Sequence, residues 1–187
     1  MDLVLLSAGE IPRELAAGRI HLGVTGEDLI HEKIPGWQDR IAQVAHMGFG
    51  HADLIVAVPA SWADVETVAD LDEACAAFRA AHGQPLRIAT KYHALTRAFL
   101  KARGVADYRL VDSQGATEGV VRNMTAEAIV DITSSGETLR ANHLKILNDG
   151  LILASQATLW RALTAPQTDA TRAILEALTQ RLAKTDA

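Results

Sequence analysis

Apolar and polar positions along this chain follow two periods, and the two periods take turns. Short apolar runs at residues 3–6, 20–24, 53–58, 86–89, 108–111 and 128–132 have the length and the β-branched or leucine-rich content of strands. Helical spacing fills the gaps. Over 71–81 it sets Leu71, Ala74, Cys75 and Phe78 on one face, with Asp70 as cap and Gly83 as stop. Over 95–102 it groups Leu95, Phe99 and Leu100, and Gly104 closes the segment. Ser7 and Glu10 form the S-x-x-E pattern that caps a short helix ending near Gly18. A short helix is predicted over 117–124, and an amphipathic one over 168–182 that buries Ile174, Leu175, Leu178 and Leu182. The N-D-G at 148–150 reads as a turn between strands 144–147 and 151–154. Strands alternating with helices predict an α/β fold with mostly parallel sheets.

Residues 59–70 are polar and turn-rich, as expected where a chain crosses between two lobes. The expected division is a first lobe of 1–62 plus 151–187 and a second lobe of 63–150. A two-lobed α/β fold binds its ligand in a cleft between lobes, beside strand ends. Segments 25–28, 48–50, 90–92, 113–118 and 131–138 fall at such ends.

Composition narrows the function classes. The 187 residues are 49% hydrophobic and 22% charged, as in an ordinary globular protein. Aromatics make up only 4% and the net charge is −5 without a basic block, which speaks against a nucleic-acid partner. Cys75 is the single cysteine, so no intramolecular disulfide forms, and a buried thiol is expected. No apolar run reaches the length of a membrane span, no signal-peptide pattern opens the chain, and a cytoplasmic location is expected. The seven histidines show no ligand spacing, so no metal-binding residues are assigned.

The most informative stretch is DITSSGETL at 131–139. An apolar run leads into three hydroxyl residues and a glycine, and a short helix leads out. Backbone N–H groups at a helix start attract anions, Thr133, Ser134 and Ser135 add hydroxyl donors, and Gly136 permits close backbone approach. Asp131 is placed to hold sugar hydroxyls, so a phosphorylated ribose is the indicated ligand. The alternative is a plain capping box, with Ser134 and Glu137 satisfying the helix terminus themselves.

Five blocks in order resemble one family. They are LGVTGEDL at 22–29, MGFG at 47–50 followed by ADLIVAVP at 52–59, RIATKY at 87–92, GATE at 115–118, and AIVDITSSGETLRAN at 128–142. Together they resemble the ATP phosphoribosyltransferases that begin histidine biosynthesis, in the short form of that family. The resemblance implies a fold similar to the two-lobed type II periplasmic binding proteins. It also implies transfer of the 5-phosphoribosyl group of phosphoribosyl pyrophosphate (PRPP) to N1 of ATP, with Mg²⁺ on the departing pyrophosphate. By the same resemblance Asp131 holds the ribose hydroxyls, and Thr133, Ser134, Ser135, Gly136 and Thr138 hold the 5′-phosphate. Glu118 and Asp131 are the acidic residues nearest the chemistry, and Thr25, Gly26, Gly48, Phe49, Gly50, Lys91 and Tyr92 contact the nucleotide.

The chain departs from the pattern in places. His93 stands where a proline is common, and Ala116 where a serine is common. Family members also carry a further segment ahead of the part that matches residue 3. A chain that begins at Met1 is expected to be a weak or inactive catalyst alone. The short form implies a regulatory subunit resembling histidyl-tRNA synthetase, in a homo- or hetero-oligomer. The alternative from another class is a non-catalytic two-lobed module that binds a small anion or solute.

Overall fold

The computed structural model describes residues 2–113, 117, 119–122 and 125–183. The chain divides into two units, one of Met1–His51 with Ser155–Ala187 and one of Ala52–Ala154. The sequence had suggested boundaries at 62/63 and 150/151.

The first unit is built on a three-stranded sheet in the order β1-β8-β2, where β1 is Leu22–Gly26, β8 is Ala157–Ala162 and β2 is Ile41–His46. Both pairings are antiparallel, with Thr25 opposite Thr158 on one side and His46 opposite Thr158 on the other. In β8 the side chains of Thr158, Trp160 and Ala162 alternate inward. Trp160 is the largest fully buried side chain and anchors a core with Leu15, Ile30, Ile34 and Ile41. The Trp37 ring meets Trp160 edge-on at 5.3 Å between centroids. Helix α1 (Ile11–Ala16) lies so close to β1 that a Cβ on Gly23 would sit 2.7 Å from Ile11 Cγ2. Helix α2 (Glu27–Lys33) follows β1 directly, and a later helix covers residues Asp169–Ala183.

The second unit carries a five-stranded sheet in the order β5-β4-β6-β3-β7. These strands are β3 (Ala52–Pro59), β4 (Leu86–Thr90), β5 (Tyr108–Asp112), β6 (Ala128–Thr133) and β7 (Leu144–Ser155), the last residue of β7 belonging to the first unit. β4 runs parallel to both β5 and β6, while β3 is antiparallel to β6. Residues 54–58 are buried without a break, the pattern of a strand covered on both faces. Helix α3 (Val68–His82) begins with a capping box in which Thr67 and Asp70 satisfy each other's backbone, and ends at Gly83 in the left-handed conformation. Helix α4 is His93–Ala102, and α5 (Gly119–Arg122) and α6 (Glu137–Ala141) are single short turns.

Several expectations are corrected. Residues 3–6 are not a strand: they lack ladder partners, and Leu3, Val4 and Leu5 are exposed. Strand composition alone does not form a strand without a neighbouring edge. The sheets are not mostly parallel, since the first is antiparallel and the second mixed. Residues 148–150 lie within β7 rather than between two strands. A Cβ on Gly150 would meet Leu147 Cβ, three residues back in the same strand, at 2.9 Å and the Val56 carbonyl oxygen at 3.1 Å, so β7 is kinked at 148–149 and the glycine serves both the kink and the approach of β3. Asn148 and Asp149 bond outward, Asn148 N–H to the Glu66 carbonyl (2.8 Å) and Asp149 Oδ1 to the Val68 N–H (2.8 Å). The cap of α3 is Thr67 rather than Asp70. In the C-terminal helix Leu175 is buried and Ile174 is exposed, because the packed stripe is narrower than the apolar one. β2 and β8 were not foreseen.

Candidate functional site

The parallel trio β4, β5 and β6 brings three carboxyl ends to one edge of the second unit. Thr90 pairs in register with Val130 and with Asp112. Ligands in open α/β sheets bind at such an edge. From β6 the chain passes through Ser134 and Ser135 to Gly136, at φ +69°, and into α6. The positive φ selects glycine there, and α6 has no side-chain cap, so Ser134 and Glu137 form no capping box. The hydroxyls hold the turn from inside instead. Thr133 Oγ1 accepts from the Gly136 N–H at 2.9 Å, and Ser135 Oγ accepts from the Glu137 N–H at 3.3 Å.

Asp131, Thr133, Ser134, Ser135 and Thr138 together line a pocket of about 180 Å³. Gly136 is buried and is not one of the lining residues. Asp131 Oδ1 accepts from the Ile132 N–H at 2.8 Å, which fixes the carboxylate against its own strand. Arg140, which sequence reasoning passed over, donates from Nη2 to the Ser135 carbonyl at 3.2 Å. Its spacing of four from Gly136 puts it on the same helical face as the turn, and that spacing was a usable signal.

Elsewhere on this edge Lys91 is exposed, and Tyr92 is buried at the start of α4. The Tyr92 N–H donates to Thr90 Oγ1 (2.9 Å), and its carbonyl accepts from Thr96 Oγ1 (2.5 Å). His93 Nε2 meets Asp112 Oδ1 at 2.6 Å. Ser113 Oγ donates to Thr117 Oγ1 at 2.7 Å in a buried contact. Glu118 lies outside the described residues, as do residues 115 and 116.

The first unit gathers its own candidates around residues 155–158. Thr25 is buried, and its hydroxyl donates to the Ala8 carbonyl at 3.0 Å while its carbonyl accepts from Trp160 Nε1 at 3.2 Å. Gly26 leaves room for the Asp28 carboxylate, which a Cβ there would strike. Asp28 is buried and accepts from Ser155 Oγ at 2.7 Å. Glu27 Oε1 accepts from Thr158 Oγ1 (3.0 Å) and meets His46 Nε2 (3.0 Å). Gly48 and Gly50 both have positive φ, and between them the Phe49 carbonyl accepts from the Ala157 N–H at 3.0 Å. The Phe49 side chain is 56% exposed, so its ring is available to a ligand. The turn at 25–28 and the loop at 48–50 are therefore brought together, whereas Thr25 itself is occupied with holding the fold. Glu27, Ser155 and Thr158 tie the two segments together, and nothing in their sequence context pointed to that.

The chain is similar to known proteins over most of its length. The family model for ATP phosphoribosyltransferase matches residues 7–184. The chain is 69% identical over 170 residues to the ATP phosphoribosyltransferase of Cereibacter sphaeroides, covering 91% of this chain and 72% of that protein. It is 56% identical over 160 residues to the enzyme of a Chelativorans species, covering 85% and 70%. Against the enzyme of Nitrobacter winogradskyi it is 55% identical over 159 residues, covering 85% of this chain and 49% of that protein. Among solved structures, the ATP phosphoribosyl transferase (HisG:HisZ) complex of Thermotoga maritima superposes with a TM-score of 0.71 at 20% identity, covering 97% of this chain and 79% of that one. An ancestral arginine-binding protein bound to arginine superposes with a TM-score of 0.59 at 10% identity, covering 99% and 74%, which shows the shared type II binding-protein fold. The chain belongs to the ATP phosphoribosyltransferase family, the transferases that move the 5-phosphoribosyl group of PRPP to N1 of ATP at the first step of histidine biosynthesis.

Proposed function

We propose that the loop from Asp131 to Thr138 is the PRPP site of this enzyme. The observation that carries the reading is the gathering of four hydroxyl side chains, Thr133, Ser134, Ser135 and Thr138, with Asp131 in one pocket. The 5′-phosphate takes the N–H groups of Gly136 and Glu137 that Thr133 and Ser135 now occupy, and those hydroxyls turn to donate to it. Arg140 holds the Ser135 carbonyl and brings a positive charge beside the anion. Asp131 accepts from the ribose hydroxyls and orients C1. The C1–O bond to pyrophosphate breaks as the C1–N1 bond to adenine forms, so the protein's task is orientation and charge stabilisation.

Nucleotide contacts are assigned to Gly26, Gly48, Phe49 and Gly50 of the first unit, with Thr25 shaping its turn, and to Lys91 and Tyr92 of the second. Glu118 is assigned an acidic role near the reacting atoms.

The family is generally Mg²⁺-dependent. Among the described residues no three His, Cys, Asp or Glu side chains gather as a cage. Asp131 is the described carboxylate that would hold the ion, which when bound would neutralise charge on the leaving pyrophosphate. Among the described residues no helix is long and apolar enough to cross a membrane. The cytoplasm is assigned because the chain's relatives are biosynthetic enzymes. Because the Thermotoga maritima neighbour is a HisG:HisZ complex, the proposal includes a regulatory subunit resembling histidyl-tRNA synthetase, within an oligomer.

Calorimetric titration of the chain with PRPP, and separately with arginine, tests the reading. Saturable PRPP binding is expected. Arginine binding without PRPP binding would overturn it in favour of a solute-binding module.

A further inference from the structure

A larger cavity, of about 320 Å³, lies in the first unit among residues that none of the preceding roles use. Arg13 and Ala16 line it from the end of α1, and Lys33 is the last residue of α2, with Ile34 and Pro35 following. Arg40 completes the wall from the segment before β2. Basic residues in the last turns of helices complement the helix dipole, which accounts for Arg13 and Lys33 singly. It does not account for Arg40, nor for three cations around one concavity in a chain of net charge −5.

The positive charge there is poorly neutralised. Lys33 Nζ donates to the Gly9 carbonyl at 2.9 Å, an uncharged acceptor. Arg13 Nε reaches Glu14 at 3.2 Å, but Arg19 holds that carboxylate more closely, at 2.5 and 2.8 Å. Among the described residues neither Lys33 nor Arg40 has a carboxylate within ion-pair distance. Ala16 and Pro35 give the cavity apolar surface, while Arg13, Lys33 and Arg40 are exposed and open to a ligand from solvent. The volume falls at the lower end of small-molecule pockets. Seven helical residues span about 10 Å, so α2 separates the cavity from the turn at 25–28.

We propose that this cavity is a second anion site that takes a small phosphate-bearing molecule. The guanidinium forks of Arg13 and Arg40 match paired phosphate oxygens, and Lys33 adds a point charge. Its ligand bridges the ends of α1 and α2, and α2 carries Glu27 and Asp28 into the turn beside residues 155–158.

Titration of the ¹⁵N-labelled chain with inorganic phosphate, followed by amide NMR at constant ionic strength, tests this. The amides of Ala17, Lys33, Ile34 and Arg40 are expected to shift along one saturable curve, independent of the amides of residues 133–138. Arg40→Glu should weaken that curve at least tenfold and leave the second unit's shifts unchanged. Lys33→Gln, which keeps a donor for Gly9, should weaken it as well. Shifts that sodium chloride reproduces at the same ionic strength, or that survive both substitutions, would overturn the site. Equal shifts with citrate would overturn its assignment to phosphate.

Discussion

The hydroxyl of Thr133 accepts a hydrogen bond from the N–H of Gly136 at 2.9 Å, closing the turn that carries the proposed phosphate site. Replacing that oxygen with a methyl group of similar size removes the acceptor and leaves the shape. Thr133→Val is expected to weaken PRPP binding about threefold to tenfold, the range of one net hydrogen bond of about 0.5–1.5 kcal/mol. Circular dichroism should stay unchanged. Equal affinity in calorimetry would show that the Thr133 hydroxyl does not bind the phosphate.

Gly150 separates a strand reading from a turn reading of the N-D-G stretch. Its Cα faces Leu147 and the Val56 carbonyl too closely for a side chain. Gly150→Ala is expected to destabilise the protein by about 1–3 kcal/mol, seen as a lower urea midpoint, because an added methyl overpacks the sheet. A residue in an open turn would tolerate the change, and an unaltered midpoint would place Gly150 there.

Glu127 takes the Arg87 N–H at 2.7 Å as well as the Arg87 guanidinium. Burial raises its pKa, and the bonds to Arg87 outweigh that and hold it below the usual carboxylate value. A depressed folded pKa means stability that is present above the unfolded value and lost as pH falls through the folded one. Glu127→Gln should therefore lower the Tm at pH 7, and the gap to wild type should narrow as pH is taken down through the acid range. A gap that stays constant with pH would assign the effect to packing rather than charge.

Cys75 is buried, and burial first, with Asp72 and Asp107 adding to it, pushes its thiol up to about 12. At pH 8 roughly one molecule in ten thousand then carries a thiolate, against a substantial fraction for an ordinary cysteine. Iodoacetamide should label the folded chain far more slowly than the urea-unfolded chain. Comparable rates in the two states would mean that the thiol is open to solvent.

Much of the second unit was legible because its elements are locally consistent. The helices over 71–81 and 95–102 and the strands at 53–58, 86–89, 108–111 and 128–132 were placed within a few residues of where they lie. The strand, turn and short helix at 131–139 were legible because an apolar run, a glycine and a helix start follow one another there. What failed depends on neighbours distant in sequence. Residues 3–6 have strand composition without a paired edge. β8 alternates inward and outward, but Thr158 and Ala162 sit at its buried positions, so the apolar alternation is hidden. Gly150 looks like a turn glycine until Val56 is laid beside it. The bond from the Thr25 hydroxyl to the Ala8 carbonyl, seventeen residues away, likewise has no signal in the sequence.

The direct test of the central claim is calorimetric PRPP binding by Asp131→Ala. A hydrogen bond to a charged group is worth about 1.5–3 kcal/mol, so affinity should fall tenfold or more with the fold unchanged. Wild-type affinity in that variant would remove Asp131 from the site and contradict the assignment of the loop to the ribose.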